Sequence, residues 1–257
     1  MKSQRFRLWT GISFAIALLQ SAAIHGQVIP VAARQAELDQ PIAWLQEAKR
    51  NYSTVKDYTC TMVSQENVRG KLLEQNVMQF KLKTEPFSVY MRWLAPEKNQ
   101  GQEVAFVLGK NNNKMRVKSN LLIQKVAGFI SIDLNDKRVT EHSRHSIVEA
   151  GIGNMIEQHI NQFQTDRKLG KTSVSVKDFL CNNRDCHRVE LTRLEKDPAF
   201  YCHRTVIYLE KASKMPIRLE NYDWPRQGGA EGGELLEMFS YVGLLFNTGL
   251  KDADFNK

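Results

Sequence analysis

Polar and apolar residues alternate along this chain with two different periods. Ile42, Leu45, Ala48 and Tyr52 recur at helical spacing, with Glu47, Lys49 and Arg50 between them. This predicts an amphipathic helix over 41–52. Asp39 stands where an N-cap belongs, and Pro41 suits a first turn, where its missing N–H is not needed. From Tyr58 the period becomes two. Met78, Phe80 and Leu82 oppose Gln79, Lys81 and Lys83, and Phe87, Val89, Met91 and Trp93 oppose Ser88, Tyr90 and Arg92. Strands are predicted at 57–68, 73–84, 87–94, 103–108 and 114–119, separated by turn signals such as Arg69-Gly70 and Ala95-Pro96. The stretch 121–134 is apolar without a clean period and reads as a strand or as a loop packed over the sheet.

A second helix is predicted over 146–164. Ser146 and Glu149 have the spacing of a capping box, and Val148, Ile152, Met155, Ile156, His159 and Phe163 form the stripe that follows. Gly151 and Gly153 each weaken such a helix by ~1 kcal/mol relative to Ala, so close packing or a hinge is expected there. Period two then returns at 173–181, 186–194, 201–211, 216–223 and 234–247. The last of these carries Phe239, Tyr241 and Leu245 opposite Met238, Val242, Leu244 and Phe246, which predicts a strand buried on both faces. The order is helix, strands, helix, strands. Short links make the fold class α+β, with one antiparallel sheet of roughly ten strands and two covering helices.

The N-terminus changes the picture of compartment. Lys2, Arg5 and Arg7 precede an uncharged apolar run over 8–23 and then small residues, the pattern of a secretory signal peptide. The expected organisation is a cleaved signal peptide at 1–26, a mobile segment at 27–38 and a single domain at 39–257, exported to the periplasm. The first cysteine is Cys60, so no N-terminal cysteine is available for lipid anchoring. The formal charge of +8 falls to +5 once residues 1–26, with three basic side chains and no acidic one, are removed. Basic residues are spread, apart from Lys110, Lys114, Arg116, Lys118 and Lys125. That excludes a nucleic-acid partner and allows transient contact with a membrane surface. With 42% hydrophobic and 25% charged residues and only four cysteines, the chain is neither disordered nor a disulfide framework.

Candidate chemistry is sparse. Cys181 and Cys186, followed by His187, admit three readings: a disulfide across a hairpin loop at 182–185, a haem attachment, or a metal site shared with Cys202-His203. Adjacent strand residues face opposite ways, which argues against the last. If Cys181 pairs with Cys186, a second disulfide would join Cys60 and Cys202, one of the three connectivities that four cysteines allow. Glu141 to His145 reads as a solvated loop, and His159 as a satisfied or edge histidine on an apolar stripe. Gly151-x-Gly153 lacks the strand and third glycine of a nucleotide loop. No nucleophile elbow or triad order is present, so no enzyme, no cofactor and no metal is expected.

Several strings resemble a bacterial family of exported domains of unknown function: Asp57-Tyr58-Thr59-Cys60-Thr61 followed by Gly70-Lys71-Leu72, Glu85-Pro86-Phe87-Ser88-Val89-Tyr90, Glu149-Ala150-Gly151-Ile152-Gly153-Asn154, Tyr222-Asp223-Trp224-Pro225, and the ending Gly249 to Phe255. The order of elements is similar to the lipoprotein-carrier fold of the Lol system, a curved half-barrel with an apolar concave face under helices. The resemblance implies a protein that holds a lipid, an acyl chain or an acylated protein in a cavity. The expected lining is Phe80, Phe87, Met91 and Trp93 from the sheet with Met155, Ile156 and Phe163 from the helix. The alternatives are an envelope interaction module with a filled core and a protein partner, and a haem or redox protein using Cys181, Cys186 and His187.

Overall fold

A computed structural model describes residues 30–120 and 128–257. The expected signal peptide, residues 27–29, Lys125 and the part of the ambiguous stretch at 121–127 lie outside the described residues. Twelve strands form one sheet: β1 (Asp57–Val68), β2 (Lys71–Leu72), β3 (Asn76–Lys83), β4 (Ser88–Ala95), β5 (Glu103–Val107), β6 (Met115–Lys118), β7 (Ile130–Ile132), β8 (Thr172–Cys181), β9 (Arg184–Arg193), β10 (Arg204–Glu210), β11 (Pro216–Tyr222) and β12 (Leu235–Phe246). The order is β7-β6-β5-β4-β3-β1-β12-β11-β10-β9-β8, with β2 on the end of β1, and neighbours run antiparallel. The fold is α+β, and the sheet is open and curved as a half-barrel. The two strands beyond the expected ten are the short β2 and β7, too brief to show a period.

Pairing aligns the apolar alternation of each strand with that of its neighbour. Met62 of β1 faces Met78 of β3 and Tyr241 of β12, Met78 faces Trp93 of β4, and Met91 of β4 faces Val104 of β5. One continuous apolar face results. The β8–β9 hairpin turns on Asn182 and Asn183 alone, both at positive φ, as two-residue hairpins require, so the link is shorter than the expected 182–185. β12 is buried at Met238, Tyr241 and Leu244 but exposes Val242 and Leu245 at 37% and 60%. A register shift beside Gly243, at φ 65°, resets its alternation, so it is not buried on both faces throughout.

Among the described residues four helices accompany the sheet: α1 (Val31–Glu37), α2 (Asp39–Tyr52), α3 (Lys137–Thr140) and α4 (Ile152–Leu169). Where the sequence suggests a mobile lead-in, α1 forms and runs into α2 through Leu38. Asp39 therefore does not cap; its carboxylate pairs with Arg167 at 2.7 Å. α1 is tied to α4 where Arg34 Nε donates to the Gly170 carbonyl at 3.0 Å. α2 buries Ile42, Leu45 and Ala48, and α4 buries Ile152, Met155, Ile156, Ile160 and Phe163. α4 is also held by a buried bidentate pair. Arg193 of β9 donates to both Asp166 oxygens at 3.0 and 2.7 Å, while Thr172 donates to the same carboxylate at 2.6 Å.

The start of α4 differs from expectation in an instructive way. Ser146 makes no side-chain cap, and residues 147–149 form a separate short turn. The helix begins at Ile152, whose N–H donates to the Tyr58 hydroxyl of β1 at 2.9 Å. The Gly151 N–H acts on the hydroxyl of Tyr241 from β12, and the Gly153 N–H on that of Tyr52 from α2. The Tyr58 hydroxyl thus serves the first N–H of the helix, while the N–H groups of Gly151 and Gly153 lower the Tyr241 and Tyr52 hydroxyls against the larger upward push of burial. The glycines are there for space. A Cβ on Gly151, at φ 100°, would stand 2.4 Å from Leu82 and 2.8 Å from the Tyr58 oxygen, and one on Gly153 would stand 2.5 Å from the Tyr52 ring.

The chain end straps the opposite face of the sheet. The Asp57 carboxylate accepts from Thr248 N at 2.7 Å and Gly249 N at 3.1 Å, turning the tail. Phe255 is buried against Tyr90 and Ala105, with Lys83–Asp252 at 2.6 Å and Lys81–Asp254 at 2.7 Å beside it.

Gly151→Ala should lower the unfolding free energy by about 2–4 kcal/mol, because backbone strain and overpacking add. Helix propensity offers no compensating gain, because Gly151 is the N-cap residue outside the helix, where Gly is preferred to Ala. Urea denaturation decides the sign.

Candidate ligand cavity

α2 and α4 cover only part of the apolar face. Beside them, between β1, β3–β7 and the segment that leads into α4, lies a cavity of about 1280 Å³. Its sheet wall is rich in methionine: Met62, Met78, Met91 and Met115 face it, joined by Met155 from α4. Trp93, Val104 and Ile132 complete the apolar surface, and the Trp93 indole N–H donates to Asn76 at 3.0 Å. Methionine is unbranched and polarisable, so such a wall adapts to varied apolar shapes.

Of the residues expected to line a cavity, Met91, Trp93 and Met155 lie on its wall. Phe80, Ile156 and Phe163 are instead packed into the core, each no more than 1% exposed. Phe80 sits between the rings of Tyr58 and Tyr241, at 5.8 and 6.1 Å. Phe87 lies against Phe106 at 6.4 Å, outside the cavity lining. Periodicity places all seven residues on the inward side, but the seat of the helices decides which of them is covered.

One wall is polar. Glu66 of β1 and Glu237 of β12 are directly opposite in register, and both are buried. Like charges in that relation repel. The segment 143–145 supplies the compensation. Arg144 N donates to Glu66 at 2.7 Å and the Ser143 hydroxyl donates at 3.2 Å, while His145 Nε2 donates to Glu237 at 2.7 Å and its Nδ1 lies 3.0 Å from Glu149. Asn221 and the Tyr201 hydroxyl donate to Glu237 at 2.8 and 3.0 Å. The Arg144 guanidinium donates to the Asn67 carbonyl at 2.9 Å and to the Tyr201 oxygen at 3.1 Å. The segment is therefore pinned to the sheet rather than freely solvated.

These contacts fix protonation. Burial alone would depress His145, but the hydrogen bond and charge of Glu237, with Glu149 and Glu66, outweigh it and push its pKa up to about 9. Burial would raise Glu237, yet His145, Asn221 and Tyr201 hold it below the ordinary carboxylate value. Glu66 stays raised, by burial first and by the neighbouring charge of Glu237. Sequence reading missed this cluster, although a signal existed. Glu66 is in phase with inward Met62 and Ser64, and Glu237 with inward Phe239 and Tyr241.

The cysteines do not assemble a site. All four are free thiols. The Cys186 thiol donates to the Arg184 carbonyl at 3.3 Å, and its interaction with Cys181 lowers the Cys181 thiol and raises its own. Cys60 is on β1 while Cys202 adjoins Arg193 at 3.2 Å, with β12 and β11 between the two regions. His187 stacks on Trp44 of α2, ring centroids 4.0 Å apart, on the face opposite Cys186, so Cys186 and His187 do not converge. Among the described residues no cluster of three or more His, Cys, Asp or Glu side chains could hold a metal ion, and no helix is long and apolar enough to cross a membrane.

A family model described as a protein of unknown function, DUF1571, matches residues 55–257. The chain belongs to this family. The DUF1571 region contains the whole sheet, the polar cluster, the tyrosine-capped helix and the C-terminal strap. Comparison with curated proteins gives no match. Among solved structures, the chain is similar to an uncharacterised conserved protein from Thermus thermophilus, at 9% identity and TM-score 0.47, covering 85% of this chain and 93% of that one. It is similar to the lipoprotein LppX of Mycobacterium tuberculosis, at 10% identity and TM-score 0.47, covering 83% and 98%. A putative outer membrane lipoprotein-sorting protein domain from Vibrio parahaemolyticus shows 16% identity and TM-score 0.39 over 85% and 97%.

His145 titration should be visible by NMR with a midpoint near 9. Because its folded pKa exceeds the ordinary 6.5, its contribution to stability is full below 6.5 and is lost as pH rises through about 9. Thermal unfolding across that range should show the decline, and His145→Ala should flatten it.

Proposed function

We propose that this protein binds the apolar chain of a lipid or of an acylated molecule in the cavity beside α4. The observation that carries the reading is the methionine-rich chamber of about 1280 Å³. It exceeds the ~300–1,000 Å³ typical of pockets for drug-sized ligands. Burying an alkyl chain gains ~0.8 kcal/mol per CH₂, so the chamber needs no reactive group to hold its ligand. The role is binding or carriage, with no catalytic step. The basic, then apolar N-terminal segment supports an exported, periplasmic setting, in which the natural source of such chains is the envelope. There an acylated protein or an envelope protein would be the partner, met during brief contact with the membrane surface.

The open cavity favours this reading over an interaction module with a filled core. A fluorescent fatty-acyl probe should bind the delipidated protein with a stoichiometry near one. Val104→Trp, which fills the chamber from β5, should lower affinity at least tenfold while leaving the far-UV circular dichroism unchanged. Absence of probe binding to the folded, delipidated wild type would refute the proposal.

A further inference from the structure

The cavity is amphiphilic, and its polar part selects a type of head group. His159 of α4 is in the lining yet only 3% exposed. Its Nδ1 lies 2.7 Å from the Met155 carbonyl, one turn back on the same helix, and must donate to it. Burial depresses the imidazole below its ordinary value, so the ring is neutral and Nε2 carries a lone pair. That Nε2 has no hydrogen-bond partner among the described residues. A buried acceptor left unpaired costs roughly 1–3 kcal/mol, and this one is closed off from the open cavity by the side chains around it, so a donor from outside the chain reaches it only as those side chains give way. Gln158 and Gln162, on the same helix, also line the cavity, and their carboxamides both donate and accept.

The charges nearby argue against an anion as that donor's carrier. Glu66, Glu149 and Glu237 all line the cavity. His145 is already shared between Glu149 and Glu237, and Arg144 is engaged by Tyr201, the Asn67 carbonyl and Glu237 at 3.4 Å. At the rim Lys98 pairs with Glu74 at 3.0 Å and Arg138 with Asp136 at 2.6 Å, leaving Lys71 on the exposed edge. A carboxylate or phosphate placed by His159 would meet a lone pair and carboxylates. A hydroxyl or an amide N–H would meet an acceptor.

We infer that the ligand is an amphiphile with an uncharged, hydrogen-bond-donating head group, hydroxyl or amide, and that His159 Nε2 accepts from it. This rests on the cavity-binding reading and deepens it. The test compares three probes with one tail, each below its micelle concentration: 1-lauroylglycerol, methyl laurate and laurate. The glyceride should bind about fivefold or more tightly than either of the others, the worth of one hydrogen bond. His159→Phe should abolish that preference while still binding methyl laurate. In the wild type, the His159 Nε2 nitrogen resonance should shift on adding the glyceride and stay in place with methyl laurate, a readout that needs no folded variant. Equal or tighter binding of methyl laurate or laurate, or an Nε2 resonance that ignores the glyceride, overturns the head-group assignment while leaving cavity binding intact. If none of the three binds, both readings fall.

Discussion

The first turn of α4 must place its free N–H groups somewhere dry, and the sheet supplies the answer. A helix terminus buried without partners is costly, since each unpaired donor forfeits its hydration. Here the acceptor for the first helical N–H is the Tyr58 hydroxyl of β1, and the Tyr241 and Tyr52 hydroxyls of β12 and α2 interact with the backbone N–H groups of Gly151 and Gly153. Side chains of that length, rooted on three separate elements, fix the helix start in three dimensions. Gly151 and Gly153 are the complement of that arrangement, because any Cβ would collide with the groups that cap the helix. The position of α4, and hence which part of the concave face is covered, follows from this contact.

Once α4 is seated, the apolar face divides. Under α2 and α4 it is filled by Phe80, Ile156 and Phe163. Toward β7 it is left open, and the chamber forms. The boundary between the two is polar. The opposed Glu66 and Glu237 would repel each other, and the segment 143–145 is drawn down to satisfy them. Two carboxylates that look unfavourable on a sheet become the anchor for one wall of the cavity.

Much of the fold was legible in the sequence, because period two is a local property. All ten expected strands exist, and β1 occupies its predicted span of 57–68. What local pattern could not give was anything set by distant partners. The Ser146–Glu149 box is sound in isolation but loses to Tyr58, 94 residues away in sequence, while Glu149 turns to His145. α1 was hidden because its stability comes from docking on α4 rather than from its own periodicity. The inward side of the cavity-lining residues was readable. The split between lining and core was not, since Met91 and Phe80 are cross-strand partners with identical phase and different cover. The polar cluster assembles from five segments far apart in the chain, around Glu66, His145, Tyr201, Asn221 and Glu237, and only the inward phase of its glutamates foreshadows it.

The strand order has a temporal side. β12 lies between β1 and β11, so the centre of the sheet is its last strand to be made. A chain emerging from its N-terminus presents β1 with one open edge and β11 with another, and neither can be closed until β12 is available. Those pairings are long-range and slow to form. Until then both half-sheets expose backbone edges of the kind that recruit foreign strands. The sheet is thus zipped shut from the middle, after its other strands have been made, by the strand that also carries Glu237 and Tyr241. Closing the sheet, capping α4 and anchoring the cavity wall are therefore one event.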